Sequence, residues 1–272
     1  MKQLILIIFI AFIVSFCSHN KDPINIDPPC DCYLWVKSVH TTLGVPCDAD
    51  TSDDYIIIRP QYVLSYNKKR NVANWVAWEL NVGWFGVVHR YKGNFITDTS
   101  LPTGYYEVKH SDFTHSGYDR GHMVMSEERT KTEEDNISTF ILTNVLPQTP
   151  DLNRGVWLNF ENYCNKLCLD SNKELFIYAG GIFHSNTTIG NGVAVPDSCF
   201  KIVVILERGQ GLKDVTVNTP VIAVIIPNIS GVRSYTWDIY KTTEKRIEAS
   251  TGYNFLSAIP FNIQNVIENY IY

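Results

Sequence analysis

Short apolar runs recur along the chain, and they fall into two kinds. Tyr55–Ile58, Asn74–Leu80, Leu175–Ala179, Lys201–Leu206 and Val221–Ile226 are rich in Val, Ile and aromatic residues, which predicts strands. Two other segments keep a helical period. Val156, Trp157, Phe160, Cys164, Leu167 and Cys168 follow Asn153 at i, i+1, i+4, i+8, i+11 and i+12, and Ile263, Val266, Ile267, Tyr270 and Ile271 repeat the pattern near the end. Strands outnumber helices, and hairpin-length loops join them as often as helices do. The expected fold is α+β, with a mostly antiparallel central sheet flanked by helices.

One apolar run does not belong to that domain. Met1-Lys2-Gln3 carries a single positive charge, and Leu4 to Val14 is an unbroken apolar stretch of eleven residues. That length suits a signal peptide and is too short to cross a bilayer as a helix. The run ends in Val14-Ser15-Phe16-Cys17, which resembles a bacterial lipoprotein signal whose Cys becomes the lipidated N-terminus. Phe16 departs from the small residue usual before that Cys, so free secretion stays open. The expected organisation is a signal over residues 1–17, a Pro-containing linker over 18–33 and a single domain over 34–272. The expected location is extracytoplasmic, with membrane contact only through a lipid on Cys17.

Export changes how the cysteines are read. Cys30, Cys32, Cys47, Cys164, Cys168 and Cys199 remain after the signal, an even number of six, which predicts three disulfides and no free thiol. A zinc site is the rival, but no CxxC occurs and no His stands at a finger spacing. Six cysteines allow fifteen pairings by simple counting, so connectivity stays open.

At 45% apolar and 19% charged, the 272 residues describe an ordinary folded chain, and 16 Gly with 12 Pro exclude low complexity. The formal charge of −5 excludes a globally basic nucleic-acid binder. Any such partner needs a local basic patch.

The densest chemistry lies in Tyr118-Asp119-Arg120-Gly121-His122-Met123. A His can act as general base near neutral pH. Arg120 offers a planar fork suited to phosphate oxygens, and Gly121 permits close backbone approach or an unusual turn. Alone, the string reads equally well as a structural His beside an Asp–Arg pair.

Downstream strings change that balance. Thr143-Asn144-Val145-Leu146-Pro147-Gln148 comes next, then Leu152-Asn153-Arg154-Gly155-Val156-Trp157 and Glu161. With these, the chain resembles the DNA/RNA non-specific endonuclease family, whose members share the ββα-metal (His-Me) finger. The family pattern is a DRGH segment, an Asn in a TN-x-x-PQ context, a second Asn nine residues on and a Glu eight residues after that. Asn144, Asn153 and Glu161 keep this register without a gap. Flanking segments from Gly44-Val45-Pro46 to Thr251-Gly252-Tyr253-Asn254-Phe255-Leu256 are similar as well.

The resemblance implies a metal-dependent hydrolase of DNA and RNA that leaves 5′-phosphate products. It makes His122 the general base, Asn153 the one direct protein ligand of Mg²⁺ (Mn²⁺ being an alternative), and Glu161 the holder of a water on that metal. Asn144 would help fix the metal-and-water geometry, and Arg120 would stabilise the phosphate in the transition state. A further Arg usually lies some thirty residues upstream; Arg90 and Lys92 are nearby, and neither aligns cleanly. Arg120, Arg154, Arg129 and Lys131 are candidates for a local basic groove. The implied partners are DNA and RNA substrates; no protein partner is inferred. The competing reading is a catalytically silent nucleic-acid-binding or interaction module on the same fold, against which the intact His122, Asn144, Asn153 and Glu161 speak.

Each residue also has a plain structural reading. Asn144 fits a turn, Asn153 a helix N-cap, Glu161 a solvated helix face and His184 a loop. Trp75, Trp78 and Trp84 read as packing residues, and His89, His110 and His115 lack a nameable partner. Geometry adds a constraint. Asn153 and Glu161 would lie roughly 12 Å apart along a straight helix and about 80° apart around it. A bend or intervening metal waters must close that gap.

Overall fold

The computed structural model describes residues 33–272, so the signal and nearly all of the linker lie outside the described residues. In chain order the strands are β1 (Tyr55–Ile58), β2 (Val63–Asn67), β3 (Val72–Leu80), β4 (Asp119–His122), β5 (Val145–Gln148), β6 (Lys173–Ile182), β7 (Thr188–Ile189), β8 (Val193–Ala194), β9 (Ser198–Glu207), β10 (Val221–Pro227) and β11 (Lys241–Thr242). The helices are α1 (Glu133–Ser138), α2 (Leu158–Leu169), α3 (Glu244–Thr251) and α4 (Phe261–Ile267). Seven strands form one sheet in the order β1-β2-β3-β6-β9-β10-β11, with every neighbouring pair antiparallel. The α+β expectation therefore holds.

Every strand expected from the apolar runs is present. β2 escapes that pattern because Ser65 and Asn67 interrupt it, yet all five of its residues are buried. Their polar groups are satisfied internally: Ser65 Oγ donates to Asp54, and Asn67 Nδ2 donates to Asp53 and Asn74. Buried polar groups need such partners. β3 is buried along its whole length because the sheet is covered on both faces. Its alternation is nevertheless period two. Val76, Trp78 and Leu80 enter one core with Met123, Trp157 and Phe160, whereas Trp75 and Ala77 enter a second with Tyr178, Phe200, Ile247 and Phe255. Trp75 and Trp78 are thus core residues. β4 and β5 and the kinked start of α2 lie on the first face; α3 and α4 lie on the second.

The helices differ in detail from their periodic signals. α3 has too few apolar residues to register, but Thr243 caps its start and Gly252, at φ 84°, closes its end. α4 stops at Ile267, and Tyr270 and Ile271 beyond it are exposed. At the other end Tyr33, the first described residue, is packed into the domain. Its side chain is buried and its hydroxyl donates to Asp54 at 2.8 Å.

The expectation of three disulfides fails. Cys164, Cys168 and Cys199 are buried free thiols. They belong to the inward face of α2 and to β9, within the first apolar core, where a thiol packs as a small hydrophobe. Cys47 is disulfide-bonded, and Cys30 and Cys32 lie outside the described residues. Among the described residues no helix is long and apolar enough to cross a membrane.

Candidate active site

β4 and β5 form a two-stranded ribbon that pairs Asp119 with Gln148, Arg120 with Pro147, Gly121 with Leu146 and His122 with Val145. Gly121 is needed for close approach, though to a protein group: a Cβ there would stand 2.1 Å from Gln148 Oε1. After β5 the chain enters a wide helical turn, Leu152–Trp157, in which Gly155 (φ −119°, ψ −107°) leaves helical dihedrals. α2 then departs in a new direction. That kink supplies a bend, one of the two ways the spacing left open, and Asn153 and Glu161 line the same cleft.

The cleft has a volume of about 390 Å³ and is lined by Arg90, Phe95, Asp119, Arg120, His122, Met125, Glu127, Asn153, Arg154, Leu158 and Glu161. Four of the expected site residues, His122, Arg120, Asn153 and Glu161, therefore converge. Asn144 does not. It is fully buried, its Nδ2 donates to the carbonyls of Val124 and Thr139, both at 2.9 Å, and its Oδ1 accepts from Val124 N at 3.0 Å. With its amide spent on backbone, Asn144 braces the segment just after His122, including Met123 N bonded to its carbonyl at 2.9 Å.

His122 lies between two rings, Phe95 and Phe140, each with its centroid 4.9 Å away. Burial, with a smaller contribution from Arg90, holds its pKa down to about 3. The ring is therefore neutral at physiological pH, the form that accepts a proton. Its Nε2 is buried with no hydrogen-bond partner.

Arg120 donates through Nη2 to the His110 carbonyl at 2.7 Å and lies over Phe95 and Phe113, while its Nε is buried without a partner. The His110 ring, which had no nameable partner, accepts the Phe95 N–H at Nδ1 (3.2 Å), and its backbone carbonyl anchors this Arg. Arg90 also reaches the cleft, bonding Ser126 Oγ and pairing with Glu127 at 3.2 Å. Of the two upstream candidates, Arg90 lines the cleft and Lys92 does not. The basic-groove expectation is corrected at two positions. Arg129 is fully buried beneath Trp84, donating to the carbonyls of Gln61, Glu79 and Glu128, and Lys131 is exposed away from the cleft lining.

Asn153 is no plain N-cap: its side-chain Nδ2 donates to Asp119 Oδ2 at 3.0 Å. Asp119 also takes two bonds from the Arg154 guanidinium, at 2.7 and 2.5 Å. Because the nitrogen end of the amide is held by Asp119, the Oδ1 end is the unspent acceptor.

Glu161 is buried, contrary to a solvated helix face, with Lys201 Nζ 3.5 Å from its Oε1. Burial outweighs Lys201 and pushes the Glu161 pKa up to about 8. Nearby Glu128 is also buried, which raises its pKa to about 7, and its Oε2 has no partner. Lys201 itself is buried over the Trp157 ring, 4.2 Å from its centroid. The groups in the cleft able to face an ion are oxygens, the free Asn153 Oδ1 and the Glu161 carboxyl. Such ligand atoms fit a hard divalent cation that keeps most of its water.

A model of the DNA/RNA non-specific endonuclease family matches residues 42–262. The chain belongs to that family. A nuclease from Nostoc sp. is 46% identical over 237 residues, covering 85% of each chain. Bovine mitochondrial endonuclease G is 31% identical over 164 residues, 56% of this chain and 54% of its own. A crystal structure of the EndoG/EndoGI complex contains a chain that superposes with a TM-score of 0.70 at 23% identity, covering 81% of this chain and 91% of that one, which shows a shared fold. Membership in the non-specific endonuclease family makes the chain a hydrolytic nuclease, and nucleases of this family depend on a divalent metal.

Asp119, Glu127, Glu128 and Lys201 are cleft or near-cleft residues that motif reading did not assign. Lys201 carried a usable signal, since a lone Lys within the apolar run Cys199–Leu206 has to find a buried counter-charge.

Proposed function

We propose that this chain is a Mg²⁺-dependent endonuclease that hydrolyses DNA and RNA without sequence preference and leaves 5′-phosphate and 3′-hydroxyl ends. The observation that carries the reading is the Asn153 amide. Asp119 holds its nitrogen, so its oxygen is left for a cation in the same cleft as neutral His122. Asn153 Oδ1 would hold the ion directly, and Glu161 would hold a water on it. The bound ion supplies Lewis-acid stabilisation of charge on the phosphate and the leaving oxygen.

The remaining work falls to the protein. His122, buried and neutral, takes the proton of the attacking water. Phe95 and Phe140 fix the plane of its ring. Arg120, oriented by the His110 carbonyl, lines the cleft and offers its guanidinium to the phosphate oxygens. Water, not a ribose hydroxyl, is the nucleophile, so both sugars serve as substrates. Arg90, Arg120 and Arg154 give the acidic chain a local basic edge, and binding should weaken steeply with salt. The N-terminal apolar run ending near Cys17 supports an extracytoplasmic place of action.

The test is cleavage of plasmid DNA and of single-stranded RNA, with EDTA and after Mg²⁺ is restored, followed by ligation of the DNA products. Both substrates should be cut, only with metal, and the products should ligate without prior kinase treatment. Metal-independent cutting, or ends that need phosphorylation, would contradict the reading.

A further inference from the structure

The segment that carries Arg90 has two sides. Arg90 itself lines the cleft and lies over the Phe140 ring. Its neighbours His89 and Tyr91 line a second cavity of about 550 Å³, together with Val87, Val88 and, from α1, Glu133 and Ile137. Tyr91 meets Phe140 with ring centroids 5.2 Å apart, and Phe140 also flanks His122. One aromatic pair thus links the wall of this cavity to the catalytic histidine.

The cavity suits a base and not a phosphate. Val87, Val88, Ile137 and the Tyr91 ring give it an apolar lining, and Val87 is 94% exposed. His89 and Glu133 add polar edges, and among the described residues neither side chain has a partner. Asn136 borders it too, but its oxygen accepts Tyr91 N and its nitrogen donates to the carbonyls of Ser126 and Arg129, so it shapes the wall. Glu133 repels a phosphate, whereas Arg90 attracts one on the other side of the segment. A second cation stands near the far end. Exposed Lys131 has its backbone against Gly86, where a Cβ would be 2.8 Å from Lys131 Cα, and Val88 N donates to Thr130 O at 3.1 Å. Arg90 and Lys131 therefore bracket the Val87–His89 stretch with positive charge. A flat, uncharged group with hydrogen-bonding edges, attached to a phosphate on Arg90, meets these conditions; a nucleobase is such a group.

We propose that this cavity is a base subsite, which takes one unpaired nucleobase of a strand whose phosphate lies on Arg90 and makes single-stranded DNA and RNA the preferred substrates. The inference rests on the nuclease reading of the cleft. A base in a duplex is stacked and paired, and turning it into the cavity costs that pairing. A single strand loses none. Contact with apolar side chains and the Tyr91 ring is open to every base, so the cut stays free of sequence preference.

The test compares three substrates of one length: oligo(dT), the same strand annealed to oligo(dA), and an oligomer of abasic sugar-phosphates. With Mg²⁺, kcat/KM on oligo(dT) should exceed that on the other two by about tenfold or more. Val87→Asn with His89→Ala, at two exposed positions where folding is not at stake, should raise KM for oligo(dT) about 5–50-fold with little change in kcat. The same variant should leave cleavage of the abasic oligomer unchanged. Binding in EDTA, read by the anisotropy of fluorescein-labelled oligo(dT) and abasic oligomer, should show the same selective loss. Equal losses on all substrates, an unaltered KM for oligo(dT), or a parent that cuts duplex as well as single strand would each overturn the subsite. If the parent cuts none of them yet binds oligo(dT) through Val87 and His89, the nuclease reading fails and the base subsite stands.

Discussion

Asp119 accepts the Nδ2 of Asn153 at 3.0 Å and thereby decides which end of that amide faces the cleft. The carboxylate is itself held by the Arg154 guanidinium. An amide left to rotate presents nitrogen to a cation as readily as oxygen, so the orientation is part of the site's chemistry. Asp119→Ala should therefore raise the Mg²⁺ concentration for half-maximal cleavage by about 10–100-fold, with activity partly recovered at saturating metal. Asn153→Ala should not be rescued by any amount of Mg²⁺. Metal titrations of initial rate on the two variants check this, and identical Mg²⁺ dependence in Asp119→Ala and the parent would refute the positioning role.

His122 is the second case where a local environment sets the chemistry. Its folded pKa, near 3, lies below the unfolded value of 6.5, so the native state resists protonation. Between those values the unfolded chain binds more protons, and stability falls as pH is lowered through the window. In the metal-free protein the His122 imidazole resonances should stay unchanged in NMR spectra from pH 8 down to about 5, below which acid unfolding intervenes. A midpoint near 6.5 would contradict the burial argument. His122→Ala should lower turnover about 10²–10⁴-fold while the far-UV circular dichroism is retained.

The carboxyls beside Lys201 have the opposite sign. Lys201 is the buried cation next to Glu161 and Glu128, whose pKa values of about 8 and 7 exceed the unfolded value of 4.5. The folded protein therefore binds extra protons there, and this contribution to stability declines as pH rises from 4.5 towards 8. Lys201→Met keeps an unbranched chain against Trp157 but removes the counter-charge. Its loss of stability should be small at pH 5, where both carboxyls are protonated, and should approach the about 3–5 kcal/mol of a broken buried pair near pH 8.5. Melting curves at the two pH values in metal-free buffer decide the matter; an equal deficit at both would exclude Lys201 as the counter-ion.

What the sequence made legible followed from periodicity and from motif register. The long central strands were visible because both their faces are buried, which leaves unbroken Val- and Ile-rich runs. His122, Arg120, Asn153 and Glu161 were visible because a fixed spacing joins them. Asn144 shared that spacing but spends its amide on the backbone, and no one-dimensional pattern separates a backbone brace from a residue that faces the metal and its water. Asp119 and Arg154 lay within the quoted strings, yet their bond spans 35 residues and depends on the Gly155 kink. Lys201 and Glu161 meet across 40 residues between β9 and α2. Such pairings are properties of the assembled sheet and helix.

The cysteines give the clearest divergence between counting and packing. An even number in an exported chain presupposes that each thiol has a partner within reach. Cys164 and Cys168 instead occupy successive turns on the buried side of α2, and Cys199 sits on β9 with its Sγ accepting from Gln148 Nε2 at 3.4 Å. All three are almost fully inaccessible. Burial pushes the thiols of Cys164 and Cys199 up to about 12, and that of Cys168 higher still. Thiolate is the reactive form, so neither oxidant nor alkylating agent should find it at neutral pH. Native protein treated with iodoacetamide at pH 8 should leave all three unlabelled. Protein denatured without reductant should carry the label on Cys164, Cys168 and Cys199, but not on Cys47, when its peptides are mapped by mass. If any of the three resists labelling until a reductant is added, that residue is in a disulfide, and its place in the apolar core has been misjudged.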